Sequence, residues 1–108
     1  MSWSIEYSHP DVEKFALDLP SGLRAKYFRL TELMEEFGAN LGMPHSRSMS
    51  EGLFELRVKS QEGIARVFYC TLVGKRIVML HGFIKKSQKT PAKDSKLARK
   101  RMQKVKGK

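Results

Sequence analysis

Apolar and polar residues change their period several times along this chain, and each change marks an element. Trp3, Ile5 and Tyr7 alternate with Ser4, Glu6 and Ser8, the period of two expected of a half-buried strand. From Pro10 the spacing turns helical. Val12, Phe15, Ala16 and Leu19 share a face, Pro10 suits a first helical position, and Asp11 and Glu13 lie near the positive end of the dipole. Pro20 and Gly22 interrupt this helix and Ser21 offers an N-cap for a second. Leu23, Tyr27, Leu30, Met34, Phe37 and Leu41 then recur at steps of four and three, a stripe along about six helical turns. The width of the stripe predicts an antiparallel helix hairpin laid on a sheet rather than a face reserved for a partner helix.

Gly42, Pro44 and the Ser/Met/Arg stretch through Glu51 and Gly52 read as a loop. Phe54, Leu56 and Val58 alternate with Glu55, Arg57 and Lys59, so this strand has one apolar and one charged face. Gln61, Glu62 and Gly63 form a turn into a β-rich run from Ile64 to Leu72; Gly74 and Lys75 turn again into Ile77–Ile84. These segments predict a three-strand meander at the centre of the sheet. Gly82 marks a bulge or a close approach near its end. Thr90 and Pro91 suit a cap and first turn, and Ala98, Met102 and Val105 predict a final helix. The fold class is therefore α+β: a small antiparallel-rich sheet against an N-terminal two-helix hairpin, with a basic C-terminal helix, in one domain spanning 1–108.

Charge sharpens this picture through its location. The first 84 residues carry ten basic and ten acidic side chains, whereas residues 85–108 carry eleven basic residues and only Asp94 as an acid, so the whole net charge of +10 lies there. A field so concentrated attracts polyanions, whether nucleic acid, an acidic protein or an anionic membrane, or it serves only to keep the chain soluble. The single cysteine, Cys70, lies in the apolar run Val67–Cys70 and reads as buried structure in a reducing compartment. The first residues lack the pattern of a signal peptide, and no apolar run approaches the roughly 20 residues of a membrane span. A cytoplasmic protein without membrane association is expected.

Most familiar catalytic constellations are missing. His9, His45 and His81 are far apart and match no common metal spacing, so neither metal nor cofactor is expected. No glycine-rich phosphate loop or nucleophile signature is present, and Cys70 lacks the electropositive exposure that activates a thiol. What the meander does bring together is cations: Arg57 and Lys59 from one strand, Arg66 from the next, and Lys85, Lys86 and Lys89 after the third. Arg66, amid Val67, Phe68 and Tyr69, must snorkel, pair with an acid such as Glu55, or face a functional groove. Arg24, Lys26 and Arg29 alternate with the helical stripe and read as its solvated face. A cationic cluster of this kind suits RNA cleavage without metal, because the substrate's 2′-hydroxyl is the nucleophile and the protein need only orient the backbone, neutralise the phosphorane and move protons. A lysine with a lowered pKa, or His81, is the candidate for proton transfer. Tyr69 either stacks on a base or packs in the core.

The runs Gly52–Arg57, Ala65–Tyr69 and Leu80–Pro91 together resemble the RelE/ParE superfamily of bacterial toxins, and most closely its HigB-type, phage-derived Gp49-like branch. The resemblance implies a ribosome-dependent endoribonuclease that cuts mRNA, restrained by a helix-turn-helix antitoxin, with operator DNA bound only through the toxin–antitoxin complex. By position it implies roles for Arg57 and Arg66 as strand cations, for Lys85 or Lys86 as the basic group after the last strand, and for Lys59 as a further basic position. Taken with the residue chemistry, the catalytic candidates are Arg57, Arg66, Lys86 and His81, and the RNA-binding candidates Lys59, Lys85, Lys89 and Lys93. The segment after Lys89 contains no tyrosine, unlike RelE itself, which leaves proton transfer to His81 or a lysine. Competing expectations are a ParE-like poison that binds gyrase without cutting RNA, and a non-catalytic nucleic-acid-binding protein.

Overall fold

The computed structural model describes residues 2–85 and 91–107. Its elements run β1 (Ser4–Tyr7), α1 (Pro10–Leu17), α2 (Ser21–Phe37), β2 (Ser46–Ser48), β3 (Phe54–Ser60), β4 (Gly63–Leu72), β5 (Arg76–Ile84) and α3 (Ala92–Val105). The five strands form one mixed sheet in the order β1-β5-β4-β3-β2. The β3–β4–β5 meander is antiparallel and central, β2 extends it antiparallel at one edge, and β1 pairs in parallel with β5 at the other.

Alternation along the strands gives the sheet two apolar faces, and helices cover both. Leu56, Val58, Ala65, Val67, Tyr69, Ile77 and Met79 pack with Val12, Ala16, Leu23, Tyr27, Leu30 and Met34 of α1 and α2. On the opposite face Phe68, Cys70, Val78 and Leu80 pack with Ala98 and Met102 of α3. Buried hydroxyls find partners, as buried polar groups must: Tyr69 donates to the Ala39 carbonyl at 2.6 Å, and the Tyr7 and Tyr27 hydroxyls lie 2.9 Å apart. Tyr69, stacked on Phe54, is thus a core residue.

The helical stripe outruns its helix. α2 stops at Phe37, where Gly38 turns the chain at φ 106° and donates its N–H to the Met34 carbonyl, a backbone conformation that glycine tolerates best. Phe37 is consequently 70 % exposed, and Leu41 reaches the core from the following loop. Ser21 is not the N-cap either, since Pro20 holds that position without a side-chain bond. Instead Glu62, from the β3–β4 turn, accepts the N–H groups of Gly22 and Leu23 at 2.6 and 3.1 Å, a carboxylate at the positive end of the helix. The stretch read as a loop contains β2, paired with β3 from Ser46↔Leu56 to Ser48↔Phe54. Its three polar residues carry no strand pattern of their own.

One irregularity governs the site end of the sheet. Phe68 pairs with His81 but Tyr69 pairs with Met79, so Leu80 is an extra residue in β5. A bulge of this kind reverses the facing of everything beyond it. Leu80 and His81 therefore lie on the α3 side together, and Gly82 faces the other way, toward Phe15. The carbonyl of Leu80, displaced from the ladder, accepts Arg101 of α3 at 2.9 Å, and the same guanidinium reaches Asp11 of α1 at 2.9 Å.

At Gly82 space decides the residue: an added Cβ would lie 2.4 Å from Cδ2 of Phe15. Gly82→Ala is expected to destabilise the fold by roughly 1–3 kcal/mol, the usual cost of overpacking. Urea unfolding measures this, and Phe15→Leu in the Gly82→Ala background should recover part of the loss.

Candidate functional site

Register defines the site. On the α3 side of the sheet, one row across the strands reads Arg47, Glu55, Phe68, His81 and the next reads Arg57, Arg66, Phe83. A third row holds Lys59, Ile64 and Lys85, the last fixed by a 2.7 Å bond from the Lys85 N–H to the Ile64 carbonyl. The meander thus sets Arg57 directly opposite Arg66, with Lys85 in the next row, just past the end of β5. Without the extra Leu80, His81, Phe83 and Lys85 would face α1 and α2.

Arg66 resolves its options by pairing. It is 3 % exposed and donates from Nη1 to the Glu55 carboxylate at 2.6 Å, while Arg47 lies 3.9 Å from the same oxygen. The Nε of Arg66 has no hydrogen-bond partner among the described residues. A buried guanidinium is tolerable only with such a carboxylate, so Glu55 is what allows a second arginine beside Arg57. Arg57 itself is half-buried and Lys59 exposed.

Lys85 feels the whole cluster. Loss of hydration lowers its pKa first, followed by repulsion from Arg66, partial compensation by Glu55, and repulsion from Arg57 and Arg47. These are the two causes that make a lysine a proton donor at lower pH than usual. Cys70, by contrast, is buried and its thiol pKa is pushed up by that burial, which leaves it an inert core residue.

His81 stands one row away and is not free. Its Nε2 lies 2.6 Å from Oδ1 of Asp94 in the first turn of α3, and its ring lies nearly parallel to that of Phe83 at 6.3 Å. With Nε2–H donated to the carboxylate, the ring's lone pair resides on Nδ1. Of the residues singled out from the sequence, Arg57, Arg66, Lys85 and Lys59 share adjacent rows and His81 flanks them. Lys93 is exposed at the start of α3, and Lys86 and Lys89 lie outside the described residues.

Several contributors escaped the sequence. Asp94 signalled itself only as the lone acid in a cationic segment, and Arg47 joins through β2, whose pairing the sequence does not announce. Lys26 does not belong to a purely solvated helix face. With Pro44, His45, Arg57, Lys59 and Ile64 it lines a cavity of about 340 Å³. Within the basic tail, Arg99 and Arg101 are braces: Arg99 donates to the Met49 carbonyl at 2.7 Å, and Arg101 holds the bulge. Among the described residues no three His, Cys, Asp or Glu side chains are grouped as a metal site, and no helix is long and apolar enough to cross a membrane.

Residues 14–103 match the model of the family described as phage-derived protein Gp49-like (DUF891). The chain belongs to this family of RelE/HigB-like toxins. None of the curated proteins compared with it matches.

Removing Glu55 tests the cluster's internal balance. Glu55→Ala should destabilise the protein by about 3–5 kcal/mol, because it strands Arg66 in the interior. The double variant Glu55→Leu/Arg66→Met should regain most of this, as read from urea midpoints.

Proposed function

We propose that this protein is the toxin of a toxin–antitoxin pair and acts as a metal-independent endoribonuclease that cuts mRNA on the ribosome, in the cytoplasm. The observation that carries the reading is the register that sets Arg57, Arg66 and Lys85 side by side on one face of the sheet. Family membership supports it and implies an antitoxin partner, here taken to be a helix-turn-helix protein through which operator DNA is bound.

The chemistry follows from the rows. The 2′-oxygen of the substrate attacks the adjacent phosphorus and the 5′-oxygen leaves from the opposite side, so base and acid belong on opposite sides of the phosphate. His81 and Lys85 lie on either side of the Arg57–Arg66 row. Nδ1 of His81, oriented by Asp94, takes the 2′-hydroxyl proton, and the Lys85 ammonium gives a proton to the departing 5′-oxygen. Arg57, with Arg66 behind it, neutralises the phosphorane's extra negative charge, which a preorganised guanidinium does without reorganisation at the moment of reaction. The exposed lysines of α3, Lys93, Lys96, Lys100 and Lys104, supply a salt-sensitive contact to ribosomal RNA.

Two outcomes are expected in a ribosome-bound mRNA cleavage assay. Arg57→Ala should lower the single-turnover rate by roughly 10²–10³ with its unfolding midpoint near that of the parent; an unchanged rate, or gyrase inhibition with intact mRNA, would refute the reading. As a general acid, Lys85 acts while protonated. The rate should therefore fall as pH rises through its lowered pKa, below the ordinary lysine range, and Lys85→Arg should push that limb to higher pH.

A further inference from the structure

The cavity beside the cationic rows is itself built for an anion. Lys26 comes from α2, His45 from the segment before β2, and Arg57 and Lys59 from β3; Pro44 and Ile64 complete the lining. No acidic side chain among the described residues lines it. Among the described residues none of these four basic side chains has an ion pair or a side-chain hydrogen bond, although Arg29 and Arg47 nearby in the chain each have an acidic neighbour. Bringing the cations Lys26, Arg57 and Lys59, with the His45 ring beside them, around one concavity with no counter-charge among the described residues works against the fold unless an anion enters. At about 340 Å³ the space falls in the range of small-ligand pockets and suits a single nucleotide. Its two apolar residues offer a surface for a base or ribose.

Arg57 ties this cavity to the cleavage rows. It lines the cavity and also sits opposite Arg66, so a strand whose scissile phosphate rests on the Arg57–Arg66 row has its neighbouring nucleotide at the cavity mouth. We propose that the cavity formed by Lys26, His45, Arg57 and Lys59 is a nucleotide subsite for single-stranded RNA, seating the phosphodiester next to the one that is cut. This rests on the RNA-cleavage reading and adds α2 to the substrate-binding surface. An extended RNA strand is favoured over an acidic peptide because the concavity combines dispersed cations with apolar edges that fit a ring.

Binding of a fluorescent 2′-O-methyl RNA heptamer to the full-length protein, followed by anisotropy, isolates the subsite, since such RNA lacks the attacking hydroxyl. Lys26→Glu and Lys26→Gln should weaken binding, the former roughly tenfold or more, and reduce the slope of log K against log salt by about 0.7 for each phosphate that is no longer neutralised. Lys75→Glu makes the same charge change as Lys26→Glu in the exposed β4–β5 turn, at the end of β4 remote from Ile64 and the cavity, and should stay within about twofold, the screened effect of a distant surface charge. Equal losses in Lys26→Glu and Lys75→Glu, or no loss in either, would overturn the proposal, as would displacement of the RNA by a glutamate heptapeptide at similar concentration. Cleavage assays separate this from the broader reading. A parent protein that binds RNA through Lys26 but never cuts mRNA keeps the subsite and loses the nuclease. One that cuts while Lys26→Glu binds and cuts equally well keeps the nuclease and loses the subsite.

Discussion

The residue that β5 carries in excess of β4 decides which chemistry the sheet can present. In an unbroken strand Val78, Leu80, Gly82 and Ile84 would share a face, and His81, Phe83 and Lys85 would lie among the core residues beneath α1. The bulge at Leu80 leaves Val78 and Leu80 facing α3 and exchanges Gly82 and Ile84 with His81, Phe83 and Lys85. It brings the imidazole, the phenyl ring and the ammonium onto the face of Arg57 and Arg66, and it turns Gly82 toward Phe15, where only a hydrogen fits. A displaced carbonyl has to be satisfied, and Arg101 does so while gripping Asp11. One inserted residue thus couples α1, α3 and the sheet to a single arrangement of cations.

That arrangement is electrostatically costly, and the protein offsets it locally. Glu55 is wholly buried, bonded to Arg66 and within reach of Arg47. It lets two arginines stand side by side while leaving the cluster strongly positive. The surplus falls on Lys85, whose proton is held less firmly as a result. The basic C-terminal segment divides in a similar way. Its two arginines serve the fold, as their planar, multiply donating heads suit carbonyl and carboxylate partners, whereas lysines remain on the outer surface of α3 for a polyanion. A count of positive charge does not distinguish these roles.

Much of this was legible in the sequence, and the failures have physical causes. The period of two in Phe54–Lys59 and the turns at Glu62 and Gly74 sufficed to place the meander, and the meander sufficed to place Arg57 near Arg66. Gly82 announced a bulge or a close approach and is adjacent to both. The direction in which Lys85 points could not be read, because a bulge leaves no pattern in one strand alone. β2 went unseen because its three residues owe their conformation to β3. Phe37 and Leu41 continued a helical spacing that Gly38 ends, and Lys26 looked like a solvated charge because its cavity is made by segments remote in sequence. Asp94 became meaningful only once α3 was seen to begin over His81.

The claim on which the chemistry rests is that the bulge places the Lys85 ammonium within the field of the arginine rows. Titration of the lysine side chains by NMR, with Lys85 assigned through Lys85→Arg, tests this without requiring substrate. Lys85 should lose its proton at lower pH than Lys96 and Lys100 on the open face of α3, and its titration should move back toward theirs when Arg57 is replaced by Gln. A Lys85 that titrates together with the α3 lysines, and does not respond to Arg57, would contradict the account.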